Sequence, residues 1–353
     1  MKVEYLDIHT DVFDEIVEDI KKRNLSRNNM PKLIIGTGLS IIYGVPGMKK
    51  LASYLQREIQ KSNDTDLKLM WNNCYNTIKD KGLEAGLANL TPAEDVLVDT
   101  IKFMTAKFIL KNEESLHQSI IEKITGFSRL LAYLAGTVGV NNRVIDIMTP
   151  NYDRIIEMVC DKLGIGVITG FQGSLYGRFN RDLLRQPTEF YNCKKNIWIR
   201  LFKPHGSINW INKEGNEYMT NDYAVLQKET EYIEIVTPGG SKYREGLTNN
   251  TFRCMREEFN ELLNTKDNYS LLFYGYGFND DHFDTALFDS FQKNVLIVAK
   301  DVKEEILNKA LERKNITIFY HEDKTEYMIY KSQRYSIDLP LWNIDLFADI
   351  FLG

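Results

Sequence analysis

Three segments of this 353-residue chain carry side chains that could act together on one small molecule. Gly36-Thr37-Gly38-Leu39-Ser40, Thr149-Pro150-Asn151-Tyr152-Asp153 and Phe202-Lys203-Pro204-His205-Gly206 each follow a short apolar run, where a strand would end. Between them they supply a glycine loop, a carboxamide with a carboxylate two residues on, and an imidazole. Glycine lets backbone N–H groups approach a pyrophosphate, and the hydroxyls of Thr37 and Ser40 add donors. Asn151 can hold a ribose hydroxyl or a water while Asp153 orients a neighbour. His205, set between a rigid proline and a permissive glycine, can take a proton from a sugar hydroxyl or a water, because imidazole titrates near neutrality. Together these groups suit a site that holds a dinucleotide and acts on its ribose.

Each segment also has a plain structural explanation. Gly36-x-Gly38 alone is a tight turn after a core strand, and Ile41 stands where the usual dinucleotide fingerprint has a third glycine. Asp153 reads equally as a helix N-cap, Asn151 as a turn former and His205 as a histidine bonded within a turn. A fourth segment, Gly275-Tyr276-Gly277-Phe278-Asn279-Asp280-Asp281-His282, is a second glycine-rich junction between a strand and a helix. Two such loops on one parallel sheet suit the two halves of a dinucleotide, although Asp280 or Asp281 can simply cap a helix. Lys300-Asp301, at the next strand end, is a further position for adenosine contact.

The elements that must hold these groups follow from periodicity. Ile8, Val12, Phe13, Ile16, Val17 and Ile20 predict a helix over 8–24, and Lys32-Leu33-Ile34-Ile35 a buried strand. Residues 50–136 read as almost wholly helical, with Thr91 capping a helix that has Pro92 in its first turn. From residue 143 strands alternate with helices: strands at 144–148, 197–203, 208–211, 232–236, 270–274, 295–299 and 316–320, the last being the final one. Helices are expected at 153–163, 252–263, 280–291 and 302–313. That alternation, with glycines at strand ends, predicts an α/β fold: a Rossmann-like, mostly parallel sheet covered by helices, with a helical insertion. The expected division is an N-terminal helical segment at 1–30, a nucleotide fold at 31–49 and 126–320, the insertion at 50–125, and a packing or oligomerisation tail at 321–353.

Composition narrows the classes. Hydrophobic residues are 43% and charged ones 26%, as in ordinary globular proteins. A net charge of -5 argues against broad affinity for nucleic-acid backbones. No apolar run reaches the roughly 18 residues a membrane span needs, and the acidic start does not resemble a signal peptide, so a cytoplasmic protein is expected. Cys74, Cys160, Cys193 and Cys254 stand far apart without nearby histidines, so they read as reduced thiols rather than a zinc site. The few remaining histidines, among them His9, His117 and His321, read as surface residues.

In order, GTGLS, TPNYD, KPHGSINW and YGYGFNDDH resemble the sirtuin-like superfamily, and most of all its divergent branch in prokaryotic antiphage defence. The likeness spans about residues 30–320. It implies that Gly36, Thr37, Gly38 and Ser40 bind NAD; Gly275, Tyr276, Gly277 and Asn279 are expected to join them from the second loop, as the pairing of two glycine loops suggests. It further implies that Asn151 and Asp153 hold the ribose and a water, and that His205 is the general base. Protein-deacylating sirtuins continue G-I-P-D-F-R after the first loop, whereas this chain has Gly44-Val45-Pro46-Gly47-Met48-Lys49. Pro46 is kept as an NAD-contacting position; the Asp, Phe and Arg are replaced, and the deacylases' four zinc cysteines are absent.

The resemblance therefore implies NAD cleavage to nicotinamide and ADP-ribose, without zinc, by an abortive-infection effector. With only a short tail after the nucleotide fold, control is expected from assembly as a homo-oligomer and from a HerA-type hexameric ATPase. Two rivals stay open: an NAD-dependent protein deacylase, and a regulatory subunit that binds NAD or ADP-ribose without cleaving it. A nuclease finds no carboxylate cluster to hold a metal, and nucleic acid enters only indirectly, if at all.

Overall fold

The computed structural model describes residues 3–91, 94–239, 249–278, 287–288 and 290–353. Asn279, Asp280, Asp281, His282, Pro92 and most of the helix expected at 280–291 lie outside these residues. Among the described residues a ten-stranded sheet runs through the molecule. Its centre is β2 (Pro31–Ile35), flanked by β3 (Val144–Met148), β7 (Trp198–Phe202) and β4 (Gly166–Ile168) on one side. On the other side lie β11 (Ser270–Tyr274), β12 (Asn294–Val298) and β13 (Ile316–Glu322). All these neighbours pair in parallel.

The side-chain alternation of a strand explains why these runs are continuously apolar. Leu33 and Ile35 face one layer, while Ile34 between them faces the other. The first layer holds α1 (Asp11–Asn24), α7 (Gly126–Thr137), α8 (Ile155–Leu163) and α11 (Ile344–Phe351), with Phe13, Phe127, Leu131, Val159 and Phe347 buried on the sheet. The second holds α9 (Asn250–Leu263) and α10 (Glu304–Glu312) through Met255, Phe259 and Ile306. A parallel sheet must be covered on both faces, and this one is.

Between β2 and β3 the chain is helical. A short α2 (Thr37–Ile42) leads to α3 (Met48–Lys61), α4 (Thr65–Lys81), α5 (Leu83–Leu87) and the 28-residue α6 (Asp95–Glu122). Helices α3 to α6 bury a core of their own around Trp71, Leu55, Ile59 and Leu87. The middle of α6, at Ala106, Ile109 and Leu110, packs instead on a small antiparallel sheet, β10-β8-β9, made of Ile233–Ile235, Gly206–Lys213 and Asn216–Met219. Thr91 does not cap α6. The helix starts at Asp95, and the Glu94 carboxylate accepts from both the Thr91 N–H at 2.8 Å and its hydroxyl at 2.6 Å.

Ile316–Glu322 is not the final strand. The chain turns back twice, through β14 (Thr325–Tyr330) and β15 (Gln333–Ile337), and both add antiparallel to the main sheet. The two turns place Asp323, Lys324, Lys331 and Ser332 at φ of 47–69°. Paired positive φ values make the two-residue turn whose twist matches a hairpin. No glycine marks either turn, which is why the aromatic stretch reads as a tail. Strand β1 (Glu4–Tyr5) closes the edge beside β15, so residues 1–30 contribute a strand as well as a helix. His117 and His321 are half-buried rather than surface residues: Nδ1 of His117 lies 3.3 Å from the Tyr223 hydroxyl, and Nδ1 of His321 lies 2.9 Å from Glu326 Oε1.

Candidate functional site

Strand order reverses at the centre of the sheet. From β2 the chain leaves towards β3 on one side, and from β11 towards β12 on the other, so the loops after β2 and β11 diverge at the carboxyl ends of adjacent strands. Ligands of open α/β sheets bind at such a switch point. A cavity opens there, lined among others by Gly36, Thr37, Ser40, Pro46, Asn151, Asp153, His205, Tyr276 and Gly277. Asn151 and His205, remote in the chain, thus share one cavity.

The two glycine loops are packed against each other more tightly than sequence suggests. A Cβ on Gly36 would lie 2.3 Å from the Gly275 carbonyl oxygen, and one on Gly38 2.5 Å from the Gly275 Cα. Gly275 itself has φ of 57°. The Gly36 N–H donates to Tyr274 O at 2.9 Å and the Gly38 N–H to Gly275 O at 3.1 Å. Those two amides are therefore engaged inside the protein and not offered to a pyrophosphate. Gly38 and Gly275 serve the contact between the loops and do not line the cavity. Their type follows from close approach of two backbones, the same requirement that motivates glycine beside a phosphate.

The Thr149–Asp153 loop is pinned from every side. The Thr149 hydroxyl donates to Ile35 O at 2.7 Å and accepts from the Asn151 N–H at 3.1 Å. The Tyr152 hydroxyl donates to Val236 O at 2.7 Å. Asn151 Nδ2 donates to Gly36 O at 2.9 Å and to Ser40 Oγ at 3.1 Å, and Ser40 Oγ in turn donates to Asp153 Oδ2 at 2.6 Å. This relay sets the direction of the carboxamide. It also means that the Ser40 proton is taken by Asp153, so Ser40 positions its neighbours instead of donating to a ligand. Asn151 Oδ1 is buried and has no hydrogen-bond partner among the described residues. A buried acceptor left over after its amide is fixed is what a ribose hydroxyl or a held water would satisfy.

Asp153 is buried, and burial pushes its carboxyl up from 3.8 to about 6; Lys203 and the Ser40 bond pull it down, and Glu113 adds to the rise. Its Oδ1 also accepts from the Ile155 N–H at 3.3 Å, but the N-cap position of α8 is Arg154, so Asp153 stands one residue before the cap that the sequence suggested for it. Beneath it, the wholly buried Lys203 donates to Asp153 O at 2.5 Å, Ser207 Oγ at 2.8 Å and Glu157 Oε1 at 3.1 Å. Through these bonds Lys203 ties the Asn151 loop to the turn that carries His205. That turn closes through the Gly206 N–H to Lys203 O at 3.0 Å, and Val236 N–H donates to His205 O at 2.9 Å. At Gly206, with φ of 80°, a Cβ would meet Glu234 O at 2.2 Å, so only glycine turns the chain here.

Several residues of the site escape a motif-based reading. Glu113 of α6 is buried and bridges Arg154, with Arg154 Nη2 at 2.6 Å and Nε at 2.8 Å from its Oε1. This pair fastens the helical insertion to the loop bearing Asn151. The signal was present: Glu113 falls on the stripe Ala106, Ile109, Leu110, the one charged residue on that buried face. The insertion also walls the cavity directly, through Met48 and Leu51 of α3, Glu84 of α5 and Ile109 of α6. Among the described residues no group of three or more His, Cys, Asp or Glu could hold a metal ion.

The architecture is Rossmann-like, with its cavity where such folds take nucleotides. Residues 146–319, just under half of the chain, match the SIR2-like domain family. The match opens in β3 and closes in β13, so it includes Asn151, Asp153, His205 and the second glycine loop, while residues 36–40 reach the same cavity from outside it. SIR2-like domains use NAD, which connects the site to NAD-dependent chemistry in general. No curated protein matches the chain. No described helix is long and apolar enough to cross a membrane.

Proposed function

We propose that the protein hydrolyses NAD+ to nicotinamide and ADP-ribose. The observation that carries this reading is the convergence of Asn151 and His205 on one cavity, with Asn151 Oδ1 buried beside it and without a hydrogen-bond partner among the described residues. The orphaned acceptor fits a ribose hydroxyl or the attacking water. Nicotinamide leaves a pyridinium as a neutral base, so no general acid is required. Asn151 positions the water below the anomeric carbon, and His205 takes its proton, directly or through the ribose. The water oxygen bonds to that carbon as the carbon–nitrogen bond breaks with its electron pair on nicotinamide. Fixed dipoles in a cavity with apolar walls act more strongly than they would in water. Asp153 and Ser40 hold the carboxamide in register.

The activity would be toxic if ungated, which supports an effector role in antiphage abortive infection, acting in the cytoplasm. Control would come from homo-oligomerisation and a HerA-type ATPase partner. The test is chromatographic measurement of nicotinamide release by wild type, Asn151→Ala and His205→Ala, alone and with the partner. Loss of turnover in both variants is expected. Turnover that persists in both removes the assigned roles, and tight binding with NAD left intact in wild type would make the chain a sensor.

A further inference from the structure

One short segment, residues 233–239, touches the helical insertion and both halves of the proposed site. It opens as β10 and leaves the small sheet at Val236. There the Val236 N–H donates to His205 O at 2.9 Å, and the Val236 carbonyl accepts from the Tyr152 hydroxyl at 2.7 Å. Tyr152 stands between Asn151 and Asp153, so one residue holds both the turn that carries His205 and the loop that carries Asn151. Two positions earlier, the Glu234 carbonyl lies so near Gly206 that a Cβ there would meet it at 2.2 Å. The spacing between imidazole and carboxamide thus depends on where this strap runs.

The strap is fastened to the insertion at both ends. Near its start, Glu234 Oε1 lies 3.2 Å from the Lys102 ammonium of α6, and its other carboxylate oxygen accepts from Asn249 Nδ2 at 3.0 Å. The two charged side chains are only 25% and 16% exposed, so the pair is better shielded than an ordinary surface contact. Ile233 and Ile235 share a core with Ala106, Ile109 and Leu110 of the same helix. At the other end Gly239, with φ of 114°, lies directly on α5. A Cβ there would stand 2.4 Å from Leu87 Cβ and 2.7 Å from Leu87 O. Leu87 is itself buried in the insertion's own core. Packed, hydrogen-bonded contacts of this kind can carry a displacement of α5 or α6 to Val236, and from there to both loops.

Resting on the NAD reading above, we propose that the 233–239 strap is the element through which the helical insertion regulates that reaction, with Lys102 and Gly239 as its positioning residues. The seating of the insertion sets the spacing of Asn151 and His205, and turnover depends on that spacing. Dinucleotide binding does not run through the strap, since Lys102, Glu234, Val236 and Gly239 lie outside the cavity lining. Chemistry is the more sensitive step, because a misplacement of about 1 Å can cost on the order of a hundredfold in rate.

The test combines steady-state nicotinamide release, calorimetric NAD+ binding and amide hydrogen exchange on the full chain, for wild type, Lys102→Met, Lys102→Arg and Gly239→Ala. Lys102→Met and Gly239→Ala are each expected to lower kcat by about tenfold, a fraction of the loss from a full misplacement, while NAD+ affinity stays within about twofold. Exchange at the Val236 N–H should quicken in both. Lys102→Arg keeps the charge and should restore kcat, which a general loss of packing would not allow. If Gly239→Ala does not fold, the two Lys102 variants decide the matter. An unchanged kcat in Lys102→Met, a parallel fall of kcat and affinity, or Lys102→Arg as slow as Lys102→Met overturns the role of the strap and leaves the NAD reading standing. A wild type that releases no nicotinamide removes the NAD reading itself, and this inference with it.

Discussion

Replacing Asp153 with asparagine should make the protein more stable at neutral pH and progressively less so as pH falls. Burial raises this carboxyl from 3.8 to about 6 in the folded chain. Between those values the native state holds a proton that the unfolded chain has released, so stability declines as pH rises through the window. Above about 6 the full cost of keeping the group charged is present, on the order of 3 kcal/mol for a two-unit shift; well below 3.8 it vanishes. Asp153→Asn abolishes the titration. It also disturbs the Ser40 bond and the neighbourhood of Lys203, but an offset of that kind is nearly the same at every pH. The difference in unfolding free energy between variant and wild type should therefore shift by about 2 kcal/mol in the variant's favour between pH 4.5 and 8. Urea unfolding of both proteins at four or five pH values measures it. A difference that stays flat across that range would show that the carboxyl titrates normally, and the idea of a strained charge at this site would fail. The chain keeps a destabilising carboxylate there, which fits a position selected for what it does to Ser40 and Asn151.

Other expectations follow from the same contacts. Glu113→Gln leaves Arg154 charged and buried without its partner and should cost about 3 kcal/mol in denaturant unfolding; a loss below 1 kcal/mol would show the pair to be idle. Gly38→Ala pushes a methyl into the Gly275 backbone and should destabilise by about 2 kcal/mol, with thermal unfolding near the wild-type midpoint counting against the interlocked loops. Lys324→Gly relieves a left-handed lysine in the first hairpin turn and should gain roughly 0.5 kcal/mol; a net loss would mean that the side chain contributes more than its backbone strain.

How much of this was legible in the sequence depended on whether a residue's neighbours lie close in the chain. The central strands announced themselves as apolar runs ending in glycine, since burial on both faces leaves no polar alternation. The residues around Asn151 and His205 were legible because strand ends converge at one edge of a parallel sheet. What the glycines do there was not: Gly38 and Gly275 face each other across the switch point, a contact between loops far apart in sequence. The hairpin after Ile316 was hidden by turns built from Asp323-Lys324 and Lys331-Ser332, where tertiary pairing imposes a backbone that residue preference alone would not suggest. Glu84 carried no local signal at all, because only the docking of α5 on α4 brings it to the cavity.

The adjacency of β2 and β11 has a consequence for when the cavity can first be complete. One wall of the cavity is built soon after the amino terminus and the facing wall only by Tyr276 and Gly277, so most of the chain must be made before the two can meet. At ribosomal speeds of about 5–20 residues per second, that is an interval on the order of ten to fifty seconds. Throughout it the nascent polypeptide has half a pocket and nothing to close it. Prematurely terminated products stay in that state, with no completed cavity for a ligand to enter.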